Sequence, residues 1–130
     1  MIPLETAVKM IQDGDIVAIP TDTVYGLAVA YQNQEAVEKL YNCKERNHKN
    51  PFIILAASKE ELEELVDEPI PSFVDSLWPG PLSLILKAKE EKIPSKVRAG
   101  LPTIGLRIPN HSAALELLAQ TGPLDRKSVV

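Results

Sequence analysis

Ile16-Val17-Ala18-Ile19-Pro20-Thr21-Asp22-Thr23-Val24-Tyr25-Gly26-Leu27-Ala28 runs apolar, then polar, then apolar again, and this stretch decides how the chain is read. Its first four residues are short, mostly β-branched and preceded by the turn-forming Asp13-Gly14-Asp15, which marks a strand start. Pro20 has no N–H to give to a ladder, so pairing should stop there. Two hydroxyls and a carboxylate follow at once, and Gly26 marks a place where backbone approaches a neighbour or a ligand closely. The segment reads equally as a site at a strand end and as a turn whose Thr and Asp side chains bond local backbone.

Working outward, Leu4, Ala7, Val8 and Ile11 recur at helical spacing, with Gly14 placed to end that helix before the strand. Ala36, Val37, Leu40 and Tyr41 predict a second helix with Asn33 as its N-cap and Lys44-Glu45-Arg46 at its end. Phe52 to Ala56 is a buried strand, and Ser58 with Glu61 forms a capping box that opens a third helix through Val66. Its acidic residues, Glu60 to Glu68, read as a solvated face. A short helix ends at Trp78, and Pro79-Gly80-Pro81 is a rigid turn into a strand from Leu82 to Lys87. Glu90 to Leu101 reads as polar, irregular and mobile. Thr103 to Ile108 alternates as a strand, and Pro109-Asn110-His111-Ser112 opens a helix through Leu118. Thr121-Gly122-Pro123-Leu124 turns into a last element, of which Asp125 to Val130 leaves at most a stub: either a short last strand ends the fold or the domain is longer than this sequence. Interleaved helices and strands with short connections predict an α/β domain whose sheet is mixed.

Composition narrows the function classes. The 130 residues suit one domain with a real core. A net charge of -4 argues against a protein that coats nucleic acid by bulk charge, although a local basic patch stays open. Cys43 is the single cysteine, so no internal disulfide forms, and it reads as a small apolar helix residue. No apolar run approaches the roughly 20 residues that span a bilayer, and no signal pattern opens the chain, so the expected compartment is the cytoplasm. There is no phosphate-binding Gly-rich loop: Gly100 and Gly105 have the glycine spacing, but Leu106-Arg107 follows where Lys-Ser/Thr is needed. His48 and His111 are far apart, His48 reading as a surface residue and His111 as a helix-start residue.

Cationic and hydroxyl groups at element ends are the candidates for chemistry. Lys44 and Arg46 flank one residue at a helix end, and Asn50 follows before a strand. Arg107 lies inside the apolar strand Ile104-Gly105-Leu106-Arg107-Ile108, so it must find an anion, whether a ligand's or that of a buried structural salt bridge.

Four blocks in order resemble the YrdC-like family of threonylcarbamoyl-AMP synthases: Pro20-Thr21-Asp22-Thr23-Val24-Tyr25-Gly26-Leu27, Lys44-Glu45-Arg46 with Asn50-Pro51-Phe52-Ile53, Trp78-Pro79-Gly80-Pro81-Leu82-Ser83-Leu84-Ile85-Leu86, and Gly105-Leu106-Arg107-Ile108-Pro109-Asn110-His111. The resemblance implies a single YrdC-like domain over residues 1–130, a twisted mixed sheet flanked by helices. It also implies synthesis of threonylcarbamoyl-AMP and pyrophosphate from L-threonine, bicarbonate and ATP with Mg2+, in the service of tRNA modification and its downstream transfer proteins. By that pattern Arg46, Asn50 and Thr103 contact ATP, while Lys44 and Arg46 handle phosphates or the carbamate. Thr23 and Arg107 take threonine, Arg107 by its carboxylate. The Trp78 to Leu86 block implies a wall, with Ser83 not catalytic.

Two departures stand out against that pattern. Leu55 occupies a position where many relatives carry a His near threonine. The family also continues Gly-Pro-Leu into a Ser-x-Asn motif, whereas here Ser128 is followed by Val129 and Val130, so the domain is expected to be incomplete or altered after Leu124. Two alternatives stay open: the related domain of hydrogenase-maturation carbamoyltransferases, and a non-catalytic module binding double-stranded RNA through Lys44, Arg46, Lys49 and Arg107.

Overall fold

A computed structural model describes residues 3–43 and 53–128. Helix α1 (Leu4–Gln12) buries Ala7, Val8 and Ile11 and ends where the Asp13 N–H reaches the Lys9 carbonyl. Gly14 follows with φ +89°, a conformation that favours glycine. Strands β1 (Val17–Ile19) and β2 (Gly26–Ala30) pair antiparallel, Ile19 opposite Gly26, so the ladder stops at Pro20 as expected. The second apolar run of the opening stretch is thus a strand in its own right, beyond the close approach read at Gly26.

Helix α2 (Gln34–Asn42) is capped by Asn33, whose Oδ1 accepts from the Ala36 N–H at 3.0 Å. Cys43 lies at its C-cap and is exposed, not on an apolar face. After β3 (Ile53–Leu55), Ser58 caps α3 (Lys59–Glu63), accepting from the Glu61 N–H at 3.4 Å. This helix is shorter than its pattern predicts. Leu65 to Asp67 instead extend the sheet: Lys89 donates to the Leu65 carbonyl, Val66 bridges Ala88, and Asp67 donates to the Lys87 carbonyl. A 3-10 helix (Ser72–Ser76) leads to Trp78, whose indole N–H donates to the Leu82 carbonyl at 2.8 Å and braces the turn into β4 (Leu84–Lys87).

The stretch from Glu90 to Leu101 is packed, contrary to its reading as irregular and mobile. It contains helix α4 (Ser95–Arg98) with Ile93 and Val97 fully buried. The Arg98 guanidinium donates to the Ile93 and Leu101 carbonyls and pairs with Glu90, lacing the two ends of the segment together. Strand β5 (Thr103–Arg107) and helix α5 (Ser112–Thr121) follow, and His111 caps α5 with Nδ1 accepting from the Ala114 N–H at 3.3 Å.

The chain then forms β6 (Leu124–Ser128), the short last strand that one reading of the tail allows. The sheet order is β1-β2-β6-β3-β5-β4, so β6 pairs antiparallel with both β2 and β3. Among the described residues only β3 and β5 pair in parallel, and the mixed sheet is as predicted. Asp125, Arg126 and Lys127 are all buried in β6. Their poor strand propensity is outweighed by two open ladders that this segment closes.

Two apolar layers sandwich the sheet. One joins α1 and α5 to Val17, Ile19, Ala28, Leu55 and Leu124. The other joins Val37, Leu40 and Tyr41 of α2 to Ile54, Leu62, Val74, Ile104 and Leu106. Because strand side chains alternate, Ile104 and Leu106 of β5 feed the second layer while Thr103, Gly105 and Arg107 face the first side.

Candidate functional site

Residues 20–25, between β1 and β2, form a turn held by their own hydroxyls. Thr21 Oγ1 donates to the Val24 carbonyl at 2.6 Å, accepts from the Thr23 N–H at 3.3 Å, and lies 3.2 Å from Thr23 Oγ1. Thr21 is therefore the local-turn residue of the pair. Asp22 and Thr23 are turned toward β5, where Arg107 meets both: Nη1 donates to Thr23 Oγ1 at 3.3 Å and Nη2 donates to Asp22 Oδ1. The third bond of Arg107, from Nε, goes to the Gly80 carbonyl at 3.0 Å.

The Pro79-Gly80-Pro81 turn is positioned for that task. Gly80 donates its N–H to the Ile108 carbonyl at 2.8 Å, which docks the turn on the end of β5. A Cβ on Gly80 would meet the Leu77 carbonyl oxygen at 2.3 Å, so no larger residue fits without moving backbone. Arg107 is 2% exposed. Burial pushes its pKa down from the usual arginine value, and the neighbouring charge of Arg126 pushes the same way. Arg126 is itself buried and shifted down by desolvation.

The close approach expected at Gly26 has an identified neighbour. A Cβ there would be 2.7 Å from Cδ of Arg126, which lies across the glycine on the sheet face. Thr103 opens β5 beside a cavity of about 260 Å3, which Ser83 also lines, with Ile53, Ile85 and Leu101 as apolar walls over Gly105. A second, larger cavity of about 550 Å3 lies between α1, β1 and α5, where Pro20, Tyr25 and His111 border an otherwise mostly apolar lining. Leu55 is fully buried beside Arg107 in the β3–β5 register.

The structure therefore brings Thr23 and Arg107 together and sets Thr103 further along the same strand face. Lys44, Arg46 and Asn50 lie outside the described residues, as do His48 and Lys49. Arg107 is too buried to belong to a basic surface patch of the kind that double-stranded RNA would need. Sequence reasoning missed Asp22 as the partner of Arg107, naming only Thr23 from this loop. The demand of a strand arginine for an anion was the signal that could have found it. It also missed the Gly80 carbonyl and Arg126 as neighbours of Arg107 and Gly26, whereas Ser83 lines a cavity as a wall residue should. A buried guanidinium beside a hydroxyl suits a small ligand that carries a carboxylate and a polar side chain. Among the described residues no group of three or more His, Cys, Asp or Glu is arranged to hold a metal ion. No helix among them is long and apolar enough to cross a membrane.

Comparison with known proteins gives consistent matches. The Sua5_yciO_yrdC family model, described as "Telomere recombination", matches residues 9–129. The chain is 38% identical over 119 residues to the threonylcarbamoyl-AMP synthase of Bacillus subtilis (strain 168), covering 89% of the chain and 34% of that protein. It is 41% identical over 119 residues to the threonylcarbamoyl-AMP synthase of Pyrococcus abyssi (strain GE5 / Orsay), covering 88% and 34%. The crystal structure of P. abyssi Sua5 complexed with L-threonine superposes with a TM-score of 0.89 at 38% identity, covering 96% of the chain and 38% of that structure. The chain thus spans about a third of the length of these relatives.

Proposed function

Because the chain belongs to the Sua5/YciO/YrdC family, we propose that it carries the chemistry of an L-threonylcarbamoyladenylate synthase, forming threonylcarbamoyl-AMP and pyrophosphate from L-threonine, bicarbonate and ATP. The observation that supports this most directly is the buried Arg107 fork beside the Thr23 hydroxyl. In this reading Arg107 grips the threonine carboxylate and Thr23 meets its polar end. The similarity to a Sua5 whose structure contains L-threonine supports the same choice of amino acid.

The amine of threonine and bicarbonate give a carbamate, the C–N bond forming as a C–O bond of bicarbonate breaks and water leaves. A carbamate oxygen then attacks the α-phosphorus of ATP, the bond to the β-phosphate oxygen breaks, and pyrophosphate leaves. Charge builds on the departing pyrophosphate, so the protein's task is to hold reactants in line and present cations. Thr103 is assigned to the nucleotide together with Arg46 and Asn50, and Lys44 with Arg46 to the phosphates and the carbamate. Mg2+ would accompany ATP as part of the substrate and would supply positive charge at the phosphates. The product feeds threonylcarbamoyl transfer to tRNA, which assigns the reaction to the cytoplasm and its partners to the proteins of that transfer.

Pyrophosphate release from ATP by the purified chain tests the proposal. Release that requires both threonine and bicarbonate is the expected result. A folded, full-length protein that releases none, or that releases it without threonine, overturns the reading.

A further inference from the structure

We propose that Asp22 is a resident carboxylate of this site: it holds the end of the Arg107 fork until a ligand's carboxylate displaces it, and so sets the selectivity for carboxylate ligands. For the identity of the ligand this rests on the threonine reading; the displacement itself rests on geometry.

A guanidinium has five N–H groups in a planar fork, and a bidentate grip on a carboxylate uses two that lie along one edge. In Arg107 the Nε edge is committed to backbone, because Nε donates to the Gly80 carbonyl and Gly80 is pinned to Ile108. The edge left for a ligand is the one spanned by Nη1 and Nη2. That edge faces Thr23 Oγ1 and Asp22 Oδ1, two consecutive residues of one loop. The Thr23 bond is neutral at the acceptor and long at 3.3 Å, whereas the Asp22 bond joins two charges. An incoming carboxylate on that edge takes the place of both, and the charge-assisted Asp22 bond is the stronger of the two it must displace.

The loop is built to let that exchange happen. Its internal hydrogen bonds join Thr21, Thr23 and Val24 and do not run through Asp22, so the carboxylate can swing out while the turn persists. Asp22 is also the member of the pair nearer to water, its side chain 14% exposed against 3% for Arg107. A buried guanidinium stripped of its anion is strongly disfavoured. Asp22 supplies that anion in the empty site, and a ligand without a carboxylate has nothing with which to replace it. The cost of displacement weakens the apparent affinity for every carboxylate ligand.

Asp22→Asn keeps the shape and one acceptor but removes the competing charge. In calorimetric titration of the full chain, the variant is expected to bind L-threonine about tenfold more tightly than the wild type. Acetate, a bare carboxylate, should gain likewise, while L-threoninol and ATP should not. Weaker or unchanged binding of both threonine and acetate overturns the inference and makes Asp22 a structural partner of Arg107. A gain shared equally by ATP and threoninol overturns it too, since that is a general field effect. Threonine binding to neither chain while acetate binds the variant more tightly removes the threonine reading and leaves the displacement standing. Should the variant not fold, the wild type decides alone: the Asp22 carboxyl carbon resonance must move on saturation with threonine or acetate, and a resonance unmoved by both overturns the proposal.

Discussion

Tyr31 follows β2 directly and is 7% exposed within the layer that includes α2. Desolvation raises its pKa above the ordinary 10.0, and the negative charge of Glu64 acts in the same direction. The folded chain thus holds the phenol proton more tightly than the unfolded chain does. This stabilisation is fully present below about pH 10 and is lost as pH climbs through the raised folded pKa. Tyr31→Phe removes the ionisable group, so its melting temperature should fall less steeply than that of the wild type between about pH 9 and 11. Parallel decline of the two curves would assign the alkaline loss elsewhere. Arg107 shows how much a single residue discloses. An arginine in an apolar strand announces that an anion is near, and Gly26 announces a close neighbour. Neither names its partner, because Asp22 and Arg126 reach them only through pairings set by the whole sheet.

At the scale of elements, caps and apolar periods were legible and two of the interior strands, β2 and β6, were not. Asn33, Ser58 and His111 each accept from the backbone N–H three residues on, as their positions before apolar runs indicate. By contrast Gly26-Leu27-Ala28-Val29-Ala30 has small residues and weak strand propensity, and Leu124-Asp125-Arg126-Lys127-Ser128 is charged through its middle. Both become strands because neighbours offer ladders on each side, which no local pattern records. The caps couple elements as well. A Cβ at Gly14 would meet Nδ2 of Asn33 at 2.6 Å, so the turn after α1 and the cap of α2 share one space. Asn33→Ala should cost about 1 kcal/mol, seen as a melting temperature lower by roughly 4 °C. Combining it with Gly14→Ala should cost less than the sum of the two single changes, because the small side chain relieves the clash. Strict additivity in a double-mutant cycle would show that the two positions do not compete.

At the scale of the molecule, β6 lies between the β1–β2 hairpin and the β3-β5-β4 unit. Its register runs from Leu124 opposite Ala30 to Ser128 opposite Gly26 on one side, and from Leu124 opposite Leu55 to Arg126 opposite Ile53 on the other. The hairpin carries the Thr21–Tyr25 turn, while the other unit carries Arg107 and Thr103, so β6 joins the two halves of the candidate site. Its loss would leave two facing strand edges without partners and would remove Leu124, which is 1% exposed in the α1–α5 layer. Leu124→Ala alone should cost about 2–5 kcal/mol through the cavity it leaves. Deleting residues 124–130 should go further and abolish a single cooperative thermal transition, since neither half retains a complete apolar layer. Circular dichroism at rising temperature checks this, with L-threonine titration as a second probe. A deleted chain that still melts cooperatively within a few degrees of the full chain would mean that the hairpin and the other three strands join without β6. The charged residues of β6 would then be tolerated at the centre of the sheet because that strand contributes little there. Loss of both the transition and threonine binding would instead make the closing strand the element on which fold and site depend together.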